Sequence, residues 1–129
     1  MGKDVNYWIV GASYYSDGSQ YERFYNGGVW MLGWERGDQP FQYNLASKIK
    51  NGDRIALKRM NGRGARDITI MAIGTVREVV LDNARIFCTV KWCDGVKERT
   101  VESRGCYAAI HGPYSMVDNA DWVQKIFWL

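Results

Sequence analysis

The chain has 129 residues, 47% apolar and 24% charged, with a net charge of +3. Such a composition predicts one globular domain over residues 1–129 and excludes intrinsic disorder. Its apolar runs are too short to span a bilayer and its first ten residues lack a secretory apolar region, so a cytoplasmic protein with no membrane partner is expected.

In chain order, Val5 to Ala12 reads as a buried strand closed by Gly11. Ser19 to Asn26 predicts a short helix, with Ser19 as N-cap, Glu22 three residues on and Gly27-Gly28 at its end. Val29 to Glu35 is aromatic and fits either helix or strand. Tyr43 to Lys50 predicts a second helix, with Gly52 beyond its end. From Asp53 the pattern turns to strands. Ile55, Leu57 and Arg59 alternate with Ala56, Lys58 and Met60, and Ile68 to Val76 follows across the turn Asn61-Gly62-Arg63-Gly64. Gly74 inside that run predicts a bulge or a close backbone approach. Arg85 to Trp92 is another strand, followed by an Asp94-Gly95 turn and a run from Val96 to Val101. Asp118 to Lys125 predicts a last short helical turn. The expected fold class is α+β, with a small, strongly curved sheet.

Charge and aromatics are both unevenly spread. Residues 48–66 hold seven of the seventeen basic residues and one acid, Asp53; the rest of the chain holds ten basic and thirteen acidic residues. The turn from Lys58 to Arg66, with glycines between its arginines, reads as a solvated hairpin tip or as a cradle for a phosphate backbone. Eleven of eighteen aromatics fall in the first 43 residues, which suits core packing and equally a stacking pocket. Trp30 and Trp34 are spaced to wall a slot for a flat ring, with Ser13 and Glu35 as polar contacts to an unstacked base.

Missing residue types narrow the chemistry. There is one histidine, His111, in a His-Gly-Pro sequence read as a turn, and its expected role is structural. No phosphate-binding glycine loop, dinucleotide fingerprint, paired-histidine motif or CxxC occurs. Neither an enzyme nor a bound metal or cofactor is expected. Three cysteines without zinc-type spacing are expected to stay reduced, since Cys88 and Cys93 would point to opposite faces of a strand.

Tyr7-Trp8-Ile9-Val10-Gly11-Ala12-Ser13, Glu22-Arg23-Phe24, Gly28-Val29-Trp30 and Gly33-Trp34-Glu35 occur in that order. Ile49-Lys50-Asn51-Gly52-Asp53-Arg54-Ile55-Ala56-Leu57-Lys58, Ala72-Ile73-Gly74-Thr75-Val76 and Val90-Lys91-Trp92 follow. This series resembles the EVE/YTH-like branch of the PUA superfamily, in particular the N-terminal domains of McrB-type restriction ATPases. The likeness covers residues 5–92, and residues 93–129 match only loosely. It implies a curved mixed sheet or barrel flanked by short helices, binding nucleic acid with one modified base flipped into an aromatic cage. Trp30 matches the cage tryptophan of the Gly-Val-Trp element, and Gly11 to Ser13 match the strand end that faces the base. Trp34 matches a position that is usually aromatic. The second cage wall stays open among Trp92, Trp34 and Tyr14.

The expected function is recognition of modified DNA, carrying an altered cytosine or adenine, in restriction or regulation. Lys58, Arg59, Arg63 and Arg66 would position phosphates. No ATPase or nuclease follows in this sequence, so the expectation is either a solo reader or a domain whose ATPase or nuclease effector acts in cis or in trans. The alternatives are RNA recognition by the same cage, hydrolysis of modified nucleosides with Lys58 catalytic near Glu35 or Thr75, and a protein adaptor whose aromatics are all core.

Overall fold

The computed structural model describes residues 5–14, 18–33, 37–62, 64–82 and 85–128. Its centre is a seven-stranded mixed sheet. Strand β1 (Tyr7–Gly11) is central because both of its faces are apolar: Trp8 and Val10 enter one core, Ile9 the other, and all three are buried. It runs parallel to β5 (Arg54–Met60) and antiparallel to β9 (Ile110–Tyr114). Strand β6 (Asp67–Asp82), 16 residues long, lies antiparallel to β5, and β7 (Arg85–Trp92) then pairs with its second half. The short strands β4 (Val29–Met31) and β8 (Arg99–Glu102) pair with β7 and with the start of β6. A two-stranded ribbon, β2 (Ser13–Tyr14) with β3 (Gly18–Ser19), continues from β1.

The sheet order β4-β7-β6-β5-β1-β9 leaves β4 and β9 as edges, so the sheet is not closed into a barrel. Irregularities at Leu57/Lys58 and Val76/Glu78 interrupt the ladders on either side of β6, and such bulges bend a strand. Gly74 answers to a close approach: a Cβ there would lie 2.6 Å from Val90 Cγ1 and 2.8 Å from the Lys91 carbonyl oxygen.

Three short helices flank the sheet. Helix α1 (Tyr21–Gly27) ends at Gly28, whose φ of 65° supplies a left-handed cap. The Ser19 hydroxyl accepts from the Tyr21 N–H at 3.3 Å, but the N-cap position is Gln20. Helix α2 (Pro40–Ala46) starts three residues before the expected Tyr43 and stops at Ala46, with Pro40 in its first turn. Helix α3 (Ala120–Phe127) begins two residues later than expected. Ser115 Oγ accepts the Asp118 N–H at 3.0 Å and holds Asp118 in the preceding turn. One core, containing Trp8, Phe24 and Trp30, takes in residues of α1 and α2. The other, containing Ile9, Ile68 and Ile70, receives Trp122, Val123, Ile126 and Phe127 of α3. The sequence His111-Gly112-Pro113 lies within β9 rather than in a turn, with His111 opposite Ile9. No described helix is long and apolar enough to cross a membrane.

Candidate functional site at the end of β1

Two residues placed in different roles by the sequence approach Gly11, from opposite faces of the sheet. Trp30, on β4, is fully buried and donates its indole N–H to the Gly11 carbonyl oxygen at 2.9 Å. Lys58 sits beside Gly11 in the parallel ladder, and a Cβ built on Gly11 would lie 3.4 Å from its Nζ. A glycine here leaves room over the amine.

Lys58 is only 5% exposed, and its alternation with the buried Leu57 sends it to the face of the sheet opposite Trp30. The amine donates to the Ala108 carbonyl at 2.8 Å and lies 3.8 Å from Met60 Sδ. It has no ion pair with a described carboxylate. Burial brings its pKa down to about 8, with the nearby Cys106 thiol pulling the other way.

The segment before β9 completes the surroundings. Gly11 N–H donates to the Ala109 carbonyl at 2.9 Å, and Ala109 N–H donates to Gln42 Oε1 of α2 at 3.2 Å. Ala108 N–H donates to His111 Nε2 at 3.0 Å, so this nitrogen is the acceptor and the neutral ring carries its proton on Nδ1. Burial first, and the Lys58 charge second, lower the His111 pKa. Cys106 is buried and its Sγ is 3.4 Å from the Tyr114 hydroxyl. Burial raises both pKa values; for Cys106 the Tyr114 hydrogen bond and the Lys58 charge oppose that rise. At neutral pH the site therefore holds an ammonium that gives up its proton more readily than usual, a neutral imidazole, a thiol and a phenol. Among the described residues no group of side chains is arranged to hold a metal ion.

The other expected site residues are dispersed. Trp92 is half-buried, and its indole N–H donates to the Phe24 carbonyl at 2.9 Å. It lies four residues along β7 from Cys88, the residue opposite Trp30, an offset of about 13 Å in a strand. Its ring stacks on Tyr25 (6.3 Å, 25°), which stacks on Tyr21 (5.8 Å, 21°). The sequence carried a signal for this ladder, two tyrosines four residues apart on a helix. Ser13 and Tyr14 pair with Ser19 and Gly18 directly beyond the site; their side chains, and Trp34, Glu35 and Arg63, lie outside the described part. Thr75 is opposite Arg54 and four residues along β5 from the level of Lys58. Arg59 forms a half-exposed ion pair with Glu98 at 3.8 Å, and Arg66 is exposed. Lys58 is thus parted from Arg59 and Arg66 by burial, not by sequence distance. Comparison with protein-family models and with curated proteins finds no match to this chain.

Proposed function

We propose that the chain is a PUA-like nucleic-acid-binding module that reads one modified base, in DNA rather than RNA, at the end of β1. The observation that carries this reading is the buried Lys58 amine beside Gly11, within the strand end that the family resemblance assigns to the base. Lys58 there acts as a donor to the polar edge of the base instead of as a phosphate contact. A buried amine held by one carbonyl and one thioether retains an N–H for a ligand. Reading a base edge with such a donor discriminates well, because the wrong base leaves a buried polar group unpaired. Trp30 is fully buried on the other face of the sheet, so in this reading it holds Gly11 in place rather than stacking on the base that Lys58 reads.

The test is a fluorescence titration of matched duplexes carrying methylated cytosine, hydroxymethylated cytosine, methylated adenine or no modification, at low salt. At least a tenfold preference for one modification is expected, lost in Lys58→Met and Trp30→Leu. Equally weak binding of all duplexes would sink the reading, and a preference for matched RNA would replace DNA with RNA. The burial of Lys58 also favours one second reading, hydrolysis of a modified nucleoside; release of a changed base on incubation with the protein would establish it.

A further inference from the structure

On the sheet face that carries α3, a groove of about 630 Å³ lies between β8 and the helix, with Arg66, Arg99, Val101, Trp122 and Lys125 among its walls. Strand β8 pairs on one side only, with β6. Helix α3 lies beside it, and Trp122 donates its indole N–H to the Glu102 carbonyl at 2.9 Å. Alternation along β8 puts Arg99 on the same side as the buried Val101. The Arg99 guanidinium is braced by the carbonyls of Trp128 and Lys97. Arg66 is held beside β8 because its carbonyl accepts the Ser103 N–H at 2.9 Å. Lys125 comes from the last turn of α3.

Two acids, Asp67 and Glu102, also line the groove. Glu102 pairs with Arg104 at 3.6 Å, and Asp67 accepts the Asn61 amide at 2.8 Å. Arg66 and Lys125 are exposed and make no ion pair with a described residue. With three cations against two acids, one of them paired with Arg104, the groove keeps a net positive charge, assembled from three segments that are far apart in the chain.

We infer that this groove binds the phosphodiester backbone of a nucleic acid, with Arg66, Arg99 and Lys125 each facing a phosphate. The inference rests on the nucleic-acid reading above, yet it concerns the face of the sheet opposite Trp30. An acidic peptide suits the groove less well. A peptide needs an open strand edge or pockets for its side chains, whereas Trp122 caps the Glu102 carbonyl at the end of β8 and the floor residues Val101 and Trp122 are already buried. Phosphates need only cations spaced along a channel.

The double variant Arg66→Ala/Lys125→Ala tests this. Both side chains are exposed, so the melting temperature should not change. Binding to a short unmodified duplex is titrated from low to moderate salt by fluorescence anisotropy. The slope of log affinity against log salt is expected to fall by about 1.8, at about 0.9 per cation, with a loss of roughly tenfold in affinity at low salt. Lys48→Ala/Lys50→Ala removes the same charge away from the groove and should leave the slope unchanged. An unchanged slope in the groove variant, an equal fall in the control, or no duplex binding at low salt each overturns the inference. So does polyglutamate displacing the duplex as effectively as a nucleic acid of equal charge, which would assign the groove to an acidic protein. An unmodified duplex reports nothing about base reading. Loss of modification preference in Lys58→Met with the groove slope intact would therefore touch only the base site.

Discussion

A lysine buried without a carboxylate partner is costly to a fold, because its ammonium exchanges water for only a few fixed acceptors. Lys58 receives one carbonyl at 2.8 Å and one thioether sulfur at 3.8 Å. Burial depresses its pKa from the ordinary 10.5 to about 8. Below pH 8 the amine is charged in the folded and unfolded chains alike, and the folded state bears the whole cost of burying it. Between about 8 and 10.5 the folded chain binds fewer protons than the unfolded one, so this group's contribution to stability rises with pH. Lys58→Met, close in volume and uncharged, should therefore be more stable than the parent at pH 7 by roughly 1–3 kcal/mol. The difference should shrink as pH rises towards 10, and urea midpoints of both proteins across that range read it. A variant that is less stable at pH 7 would show that Lys58 holds the fold together rather than burdening it. The alternation of Ala56, Lys58 and Met60 was readable from the sequence, but the depth of Lys58 was not. Burial there depends on the segment from Cys106 to Ala109, half a chain away, folding over the strand.

At the scale of elements, the clearest sequence signals were the ones with local causes. Arg85 to Trp92 forms a strand with its expected limits, since alternation and flanking turn residues fix it. The signal at Gly74 had two readings, and the structure selects the close approach. Gly74→Ala would push a methyl group onto Val90 and the Lys91 carbonyl. Neither the paired backbone nor the buried valine can move far, so a loss of about 1–3 kcal/mol is expected. Denaturant unfolding checks this, and an unchanged midpoint would mean that β7 yields. Elements with distant causes were harder to read. Strand β9 was hidden by its Gly-Pro pair, which the sheet tolerates at an edge. The expected run from Val96 to Val101 overlaps strand β8, but the strand starts only at Arg99 and its partner is β6, some thirty residues earlier. Four tryptophans, Trp8, Trp30, Trp92 and Trp122, each donate the indole N–H to an internal acceptor. Much of the aromatic excess is therefore packing, as a core reading of those residues implies.

For the whole molecule, Asp53 ties the start of β1 to the entry of its parallel neighbour β5. Its buried carboxylate accepts the Trp8 indole N–H and the Lys50 N–H, each at 2.9 Å, and lies 3.3 Å from the Asn6 N–H. Asp53→Ala would strand three donors at once, with an expected cost of about 3 kcal/mol or more; a thermal melt reads it, and a shift of a degree or two would refute the tie. The wild-type charge distribution has the same long-range character. The basic block of residues 48–66 looks like one cationic tip in the sequence, but folding divides it. Lys58 turns inward, Arg59 faces Glu98, and Arg66 joins Arg99 and Lys125 in a groove. By itself the sequence determined the α+β class and most of the strands, because periodicity and turn chemistry are local properties of the chain. Tertiary structure alone decided that the sheet stays open, that Trp30 is sealed, and which cations share a surface. Those depend on contacts between segments far apart in sequence, where burial and pairing override local propensity.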